Sequence, residues 1–186
     1  MTTHIQDTAD PRMALGSIAG EYFGPDIIDA PILVPAEDVP APFAQLLVHN
    51  EHMTSRLGAY HGERVALEVM EDRRNGDTYQ RKILLTVADS HVVEVGVVRI
   101  HLNHTADDVR EEILSKKTPL GDILTHHNVL RRIEPKWFFR FEGPATLWSA
   151  FDRSLDGPLY GRVGVIHCDG EPAIELLEVV AGDRLG

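Results

Sequence analysis

The sequence predicts an α+β domain: an antiparallel sheet of six strands with helices packed against it. Three observations lead there. Apolar or alternating strand-like runs recur between residues 64 and 180, tight turns separate several of them, and stripes of helical period lie before and between them. Asn75-Gly76-Asp77 and Cys168-Asp169-Gly170-Glu171 are the strongest turns, and strands joined by so few residues run antiparallel.

Taken in order, residues 1–41 stand apart. They hold Pro11, Pro25, Pro31, Pro35, Pro40 and the acidic pair Glu37-Asp38. They are expected to form an irregular N-terminal arm with a short helix around Met13 to Tyr22, leaving 42–186 as the ordered domain. Phe43, Leu46, Leu47, Met53 and Leu57 fall on one stripe, which predicts a single helix over 42–58 stopped by Gly58. Strands follow at Arg64 to Glu71, Tyr79 to Ala88 and Val92 to Leu102. Thr105-Ala106-Asp107-Asp108 opens a helix to about Lys116, and Thr118-Pro119 opens a shorter one carrying Leu120, Ile123 and Leu124. Trp137 to Glu142 reads as a strand, Pro144 starts a helix with Leu147, Trp148 and Phe151, and Tyr160 to His167 and Ala173 to Val180 complete the sheet.

The chain has 186 residues, 43% of them apolar, enough for a core that needs neither disulfide nor metal. Its one cysteine, Cys168, excludes an internal disulfide and fits a reducing compartment. A polar N-terminus and the lack of any span-length apolar run lead to the expectation of a soluble, cytoplasmic protein without a signal peptide. The formal net charge of -11 argues against nucleic acid and anionic membranes as partners. An anionic ligand would have to be held by local positive charge.

Strand parity marks such charge. Arg81 shares a face with Ile83, Leu85 and Val87; Arg99 with Val93, Val95 and Val97; Glu178 with Ile174, Leu176 and Val180. A charge on an apolar face needs a partner or a ligand, and the arginine fork suits a carboxylate. Such charges also reach solvent at strand ends or pair with each other. Among ten histidines, His49-x-x-His52, His101-x-x-His104 and His126-His127 have ligand-like spacing, but the sequence offers no third ligand, so no metal is expected. Neither a GxSxG motif nor a glycine-rich phosphate loop occurs, and Cys168 sits at a turn without a catalytic motif.

An ordered set of short motifs is more specific. Leu46-Leu47, His52-Met53-Thr54, Arg81-Lys82-Ile83-Leu84-Leu85, Lys117-Thr118-Pro119-Leu120-Gly121, Tyr160-Gly161-Arg162 and Asp169-Gly170-Glu171-Pro172, ending at Glu178, resemble the chorismate lyase family from about Leu46 to Val180. The resemblance implies that family's six-stranded antiparallel sheet and a cofactor-free lyase, turning chorismate into 4-hydroxybenzoate and pyruvate. It implies that Arg81 holds the ring carboxylate, that Met53, Leu120 and Gly121 line the pocket, and that Glu178 faces the ring oxygen as a protonated acid. Direct counting from the Gly-Arg motif falls on Leu177, so Glu178 requires a one-residue insertion, with Glu175 the rival on the other face. The family's second arginine has Val97 at its position here, and Arg99, two residues on, is the candidate replacement to meet the second carboxylate. A non-catalytic binding protein for a small carboxylate is the alternative, as is turnover of another enol-ether or cyclic carboxylate. The effector domains of one class of bacterial transcription regulators resemble the same fold, but they follow a helix-turn-helix, and 41 Pro-rich residues are too few to supply one.

Overall fold

A computed structural model describes residues 4–151, 155 and 157–183. Its sheet has seven strands: β1 (Ile32–Val34), β2 (Ala66–Asn75), β3 (Thr78–Val87), β4 (His91–His101), β5 (Arg131–Phe141), β6 (Leu159–Cys168) and β7 (Glu171–Val180). The spatial order is β1-β5-β6-β7-β4-β3-β2, and every neighbouring pair is antiparallel. Two meanders, β2-β3-β4 and β5-β6-β7, are thus joined by the β4–β7 pair, which puts β7 at the centre.

Helices cover both faces. On one lie α3 (Phe43–Leu47), α4 (Met53–His61), α5 (Asp107–Ser115) and α6 (Leu120–His126), whose Leu46, Leu57, Val109, Ile113 and Leu124 pack with Ile83, Val98, Ile174 and Leu176 of the sheet. On the other lie α1 (Pro11–Phe23), α2 (Asp26–Asp29) and α7 (Ala145–Ser149), whose Leu15, Ile18, Ile27 and Leu147 pack with Val95, Val97, Phe139 and Val163. Both parities of the central strands are therefore apolar, which explains the unbroken valine run of β4.

The six expected strands are present, and β1 is the addition. It comes from the stretch expected to be an irregular arm, and that stretch is built into the domain. Asp10 caps α1 by accepting from the amides of Arg12 and Met13, Pro11 opens it, and Ile5, Leu15, Ile18 and Ile27 are fully buried. The helix expected around Met13 to Tyr22 is α1, and Pro11 marks its start. The single helix expected over 42–58 is two helices, with residues 48–52 between them, and the second runs through Gly58 to a left-handed cap at Gly62.

A buried ion pair fastens the N-terminal segment to the sheet. Arg99 Nη1 donates to Glu175 Oε2 at 2.6 Å, both side chains being almost fully buried. Arg99 also donates to the Ser17 carbonyl of α1, and the Ile5 amide donates to Glu175 Oε1 at 2.7 Å. Cutting one partner from such a pair leaves a buried charge uncompensated, so Arg99→Ala should lower the unfolding free energy by about 3–5 kcal/mol in urea titration. The paired replacement Arg99→Met with Glu175→Leu should cost much less. Equal losses in the two proteins would contradict a pair that anchors the arm.

Candidate functional site

Between the α3–α6 layer and the sheet lies a small cavity of about 40 Å³. Met53 and Thr54 at the start of α4, and Leu120 and Gly121 at the start of α6, form its roof. Leu67, Ile83, Leu85, Val98, Ile166 and Leu176 form an aliphatic floor, with Glu94 and Glu178 among them. Gly121 acts through the side chain it lacks: a Cβ there would come within 2.9 Å of the His52 ring and Thr54 Oγ1, so the two helix starts could not approach this closely.

Arg162, fully buried on β6, sets where α4 begins. Its Nε donates to Glu178 Oε2 at 2.5 Å, and its Nη1 donates to the carbonyls of Leu47 at 3.0 Å and His49 at 2.8 Å. The guanidinium thereby ties the α3–α4 loop to the central strand. Two histidines in that loop are kept neutral. Burial, then the Arg162 charge, lowers His49 from 6.5 to about 4; burial, then the Arg131 charge, does the same for His52. His49 Nε2 lies 2.6 Å from the Leu46 carbonyl and its Nδ1 accepts from the Glu51 amide, which fixes the tautomer with the proton on Nε2. His52 Nε2 accepts from Arg131 Nε, and its side chain leaves the first turn of α4 uncapped above the cavity.

The two acids differ. Glu178 is held by Arg162, whereas Glu94 is 1% exposed and its Oε2 has no hydrogen-bond partner. Burial first, and then the neighbouring Glu178 charge, pushes the Glu94 carboxyl well above the usual range despite Arg162. A neutral acid there can donate a hydrogen bond into the cavity.

Arg81 lies on the same face of the sheet. It pairs across β3–β4 with Val98, a floor residue, and comes two positions before Ile83, another. Its side chain is 0% exposed and does not itself line the cavity, and none of its three guanidinium nitrogens makes a well-formed hydrogen bond. Burial lowers its pKa, partly offset by the Tyr79 hydroxyl, which lies close enough to favour the charge by side-chain hydrogen bonding, and by the Asp72 charge. Thr54 Oγ1 is a further buried oxygen without a partner. Orphaned polar groups are rare in folded interiors, and here three residues carrying them gather around one cavity.

The structure therefore brings together Arg81, Met53, Leu120, Gly121 and Glu178. Arg99 is corrected. Gln80, not Arg81, is its cross-strand neighbour, so Arg99 points to the opposite face and is spent on Glu175 and Ser17. Glu175 lies with it, away from the cavity. Glu94 and Arg162 were missed as site residues, although each is a lone charge of the cavity-side parity in an apolar strand. Cys168 is buried, which pushes its thiol up to about 11 and leaves it inert.

No family model and no curated protein matches the sequence. Solved structures do. PhnF from Mycobacterium smegmatis superimposes with a TM-score of 0.55 at 12% identity, over 73% of this chain and 66% of that chain. The chain has the chorismate lyase-like fold. The ligand-binding domain of a putative GntR-family transcriptional regulator from Bordetella bronchiseptica gives a TM-score of 0.49 at 14% identity, over 65% of this chain and 91% of that one. The C-terminal domain of the histidine utilization repressor from Pseudomonas syringae pv. tomato gives 0.46 at 12%, over 66% and 96%. The expectation of a chorismate lyase, which short sequence motifs prompted, is corrected here: the same fold is carried by PhnF, so the likeness of fold does not mark a lyase. The exclusion of a nucleic-acid partner is withdrawn with it, since a charge of -11 bears on this chain's surface and not on the company it keeps. Among the described residues, no helix is long and apolar enough to cross a membrane.

The neutral histidines make stability depend on acid. In the unfolded chain His49 and His52 take up protons near 6.5, and in the fold only near 4, so the unfolded state binds more protons between those values. Stability should be full above about 6.5 and fall as the pH drops towards 4. In denaturant titrations across this range, the double variant His49→Gln, His52→Gln should show a shallower fall. Identical slopes would mean that these rings do not carry the effect.

Proposed function

We propose that the domain is a receptor for a small cyclic carboxylate, which it binds and releases unchanged. One observation carries this reading: a fully buried guanidinium with three unsatisfied nitrogens lies beside an apolar cavity roofed by an uncapped helix start. A bare buried cation is unstable in isolation, and a carboxylate is the anion whose two oxygens match the arginine fork.

The cavity indicates the rest of the ligand. The cavity is small and lined mainly by aliphatic side chains, which suits one ring rather than a nucleotide. From Val98, opposite Arg81, to Glu94 is four residues of β4, or about 13 Å. A ring on the aliphatic floor would put its carboxylate at Arg81 and a hydroxyl or carbonyl near Glu94 and Glu178. A link to transcription control would need a DNA-binding unit.

Arg81→Met tests the assignment with two readouts of opposite sign. Calorimetric titration with a panel of benzoate-class carboxylates should show binding to the wild type and a loss of about 2–5 kcal/mol in the variant. In the absence of ligand the variant should be more stable than the wild type, by about 1 kcal/mol or more, because an unpaired buried charge is gone. The ligand recovered from the wild type should be chemically unchanged. Undiminished affinity in Arg81→Met, or conversion of the ligand, would overturn the receptor reading.

A further inference from the structure

A second cluster lies at the opposite end of α6 from the cavity. Asp108 and Glu112 stand one turn apart on α5, and His126 and His127 close α6. His127 Nε2 is 2.7 Å from Glu112 Oε2, His127 Nδ1 is 3.0 Å from Asp108 Oδ2, and His126 Nδ1 is 3.5 Å from Glu112 Oε2. One ligand atom from each of Glu112, His126 and His127 lies within 4.8 Å of the others. We propose that Glu112, His126 and His127 form a zinc site that staples α5 to α6, with Asp108 orienting His127.

Three features favour this over a plain surface ion pair. Zinc at bonds of about 2.0–2.1 Å in a tetrahedron needs donors about 3.3 Å apart, and the 2.7 and 3.5 Å separations bracket that value. Asp108 accepts from Nδ1–H of His127, which leaves Nε2 free to ligate; a carboxylate behind a histidine is the usual outer partner of a zinc ligand. His126 is largely exposed, so the fourth position faces water. Without metal the His127 ring lies between the Asp108 and Glu112 carboxylates.

The other cluster of this kind, His4, His101 and Glu175, does not compete. Glu175 Oε2 is taken by Arg99 at 2.6 Å and Oε1 by the Ile5 amide at 2.7 Å, so a second cation would meet both a used carboxylate and a positive charge. The proposed site does not depend on the receptor reading. Leu120 and Gly121 at the start of α6 line the cavity, so metal at its end steadies part of the roof.

The test is calorimetric titration of the whole chain with zinc chloride, after chelator treatment and exchange into metal-free buffer at about pH 7.5. One zinc per chain should bind with a dissociation constant of about 10 µM or tighter. Glu112→Gln and His127→Ala should each weaken it at least about tenfold, Asp108→Asn should weaken it less, and His101→Ala should leave it unchanged. Cobalt(II) should give the intense visible absorption of a four-coordinate site in the wild type and not in His127→Ala. Asp108, Glu112 and His127 lie on or at the end of short helices and His101 ends β4, and circular dichroism checks that the variants fold. Absence of binding in the wild type, zinc affinity indifferent to Glu112→Gln and His127→Ala, or affinity lost in His101→Ala would each overturn the proposal.

Discussion

The Arg162 guanidinium is the constraint on which the rest of the site depends. It lies in the interior, where a cation is tolerated only if its donors are met. Glu178 on the central strand and the carbonyls of Leu47 and His49 meet them. Hydrogen bonds to a charged group are among the stronger ones, at about 1.5–3 kcal/mol each. They break what would be one helix into α3 and α4 and bring the start of α4 over the sheet. Because Arg162 is committed to Glu178, Glu94 is left as the surplus acid, and burial keeps it neutral.

The same accounting separates three buried arginines by role. Arg162 is satisfied by Glu178 and a loop, and Arg99 by Glu175 and α1. Arg81 has no ion pair and no well-formed hydrogen bond within the described residues, only the nearby Tyr79 hydroxyl and the Asp72 charge. β7 supplies both acids, Glu175 to one face and Glu178 to the other, so one central strand anchors the N-terminal segment and the cavity alike. This difference between Arg81 and the two paired arginines carries the receptor proposal.

Much of this was legible in the sequence. Strand runs and turns sufficed for the sheet, because β-branched runs bounded by Asn-Gly and Asp-Gly leave few alternatives. Met53, Leu120, Gly121 and Glu178 line one cavity, and Arg81 shares its face of the sheet, although 125 positions separate Met53 from Glu178. The failures share a cause. Parity shows which side chains travel together on one strand, but where helices cover both faces it does not show which face is which. Arg99 looked like a partner of Arg81 for that reason, and only the register of Gln80 with Arg99 separates them. In the proline-rich start the helix around Met13 to Tyr22 was legible, while the short strand β1 was not, because its three residues carry too little pattern. The approach of Glu112 to His126 was not legible because they lie fourteen positions apart and meet only when α5 packs on α6.

The central claim is that the bare Arg81 guanidinium is the seat of a ligand carboxylate. The most direct measurement is a crystal structure of the protein soaked or co-crystallised with a benzoate-class carboxylate. The account predicts both carboxylate oxygens on the Arg81 fork, the ring between Leu67, Ile83 and Leu176, and the loop at 48–52 still held by Arg162. A carboxylate seated elsewhere, with Arg81 still unpaired, would contradict it.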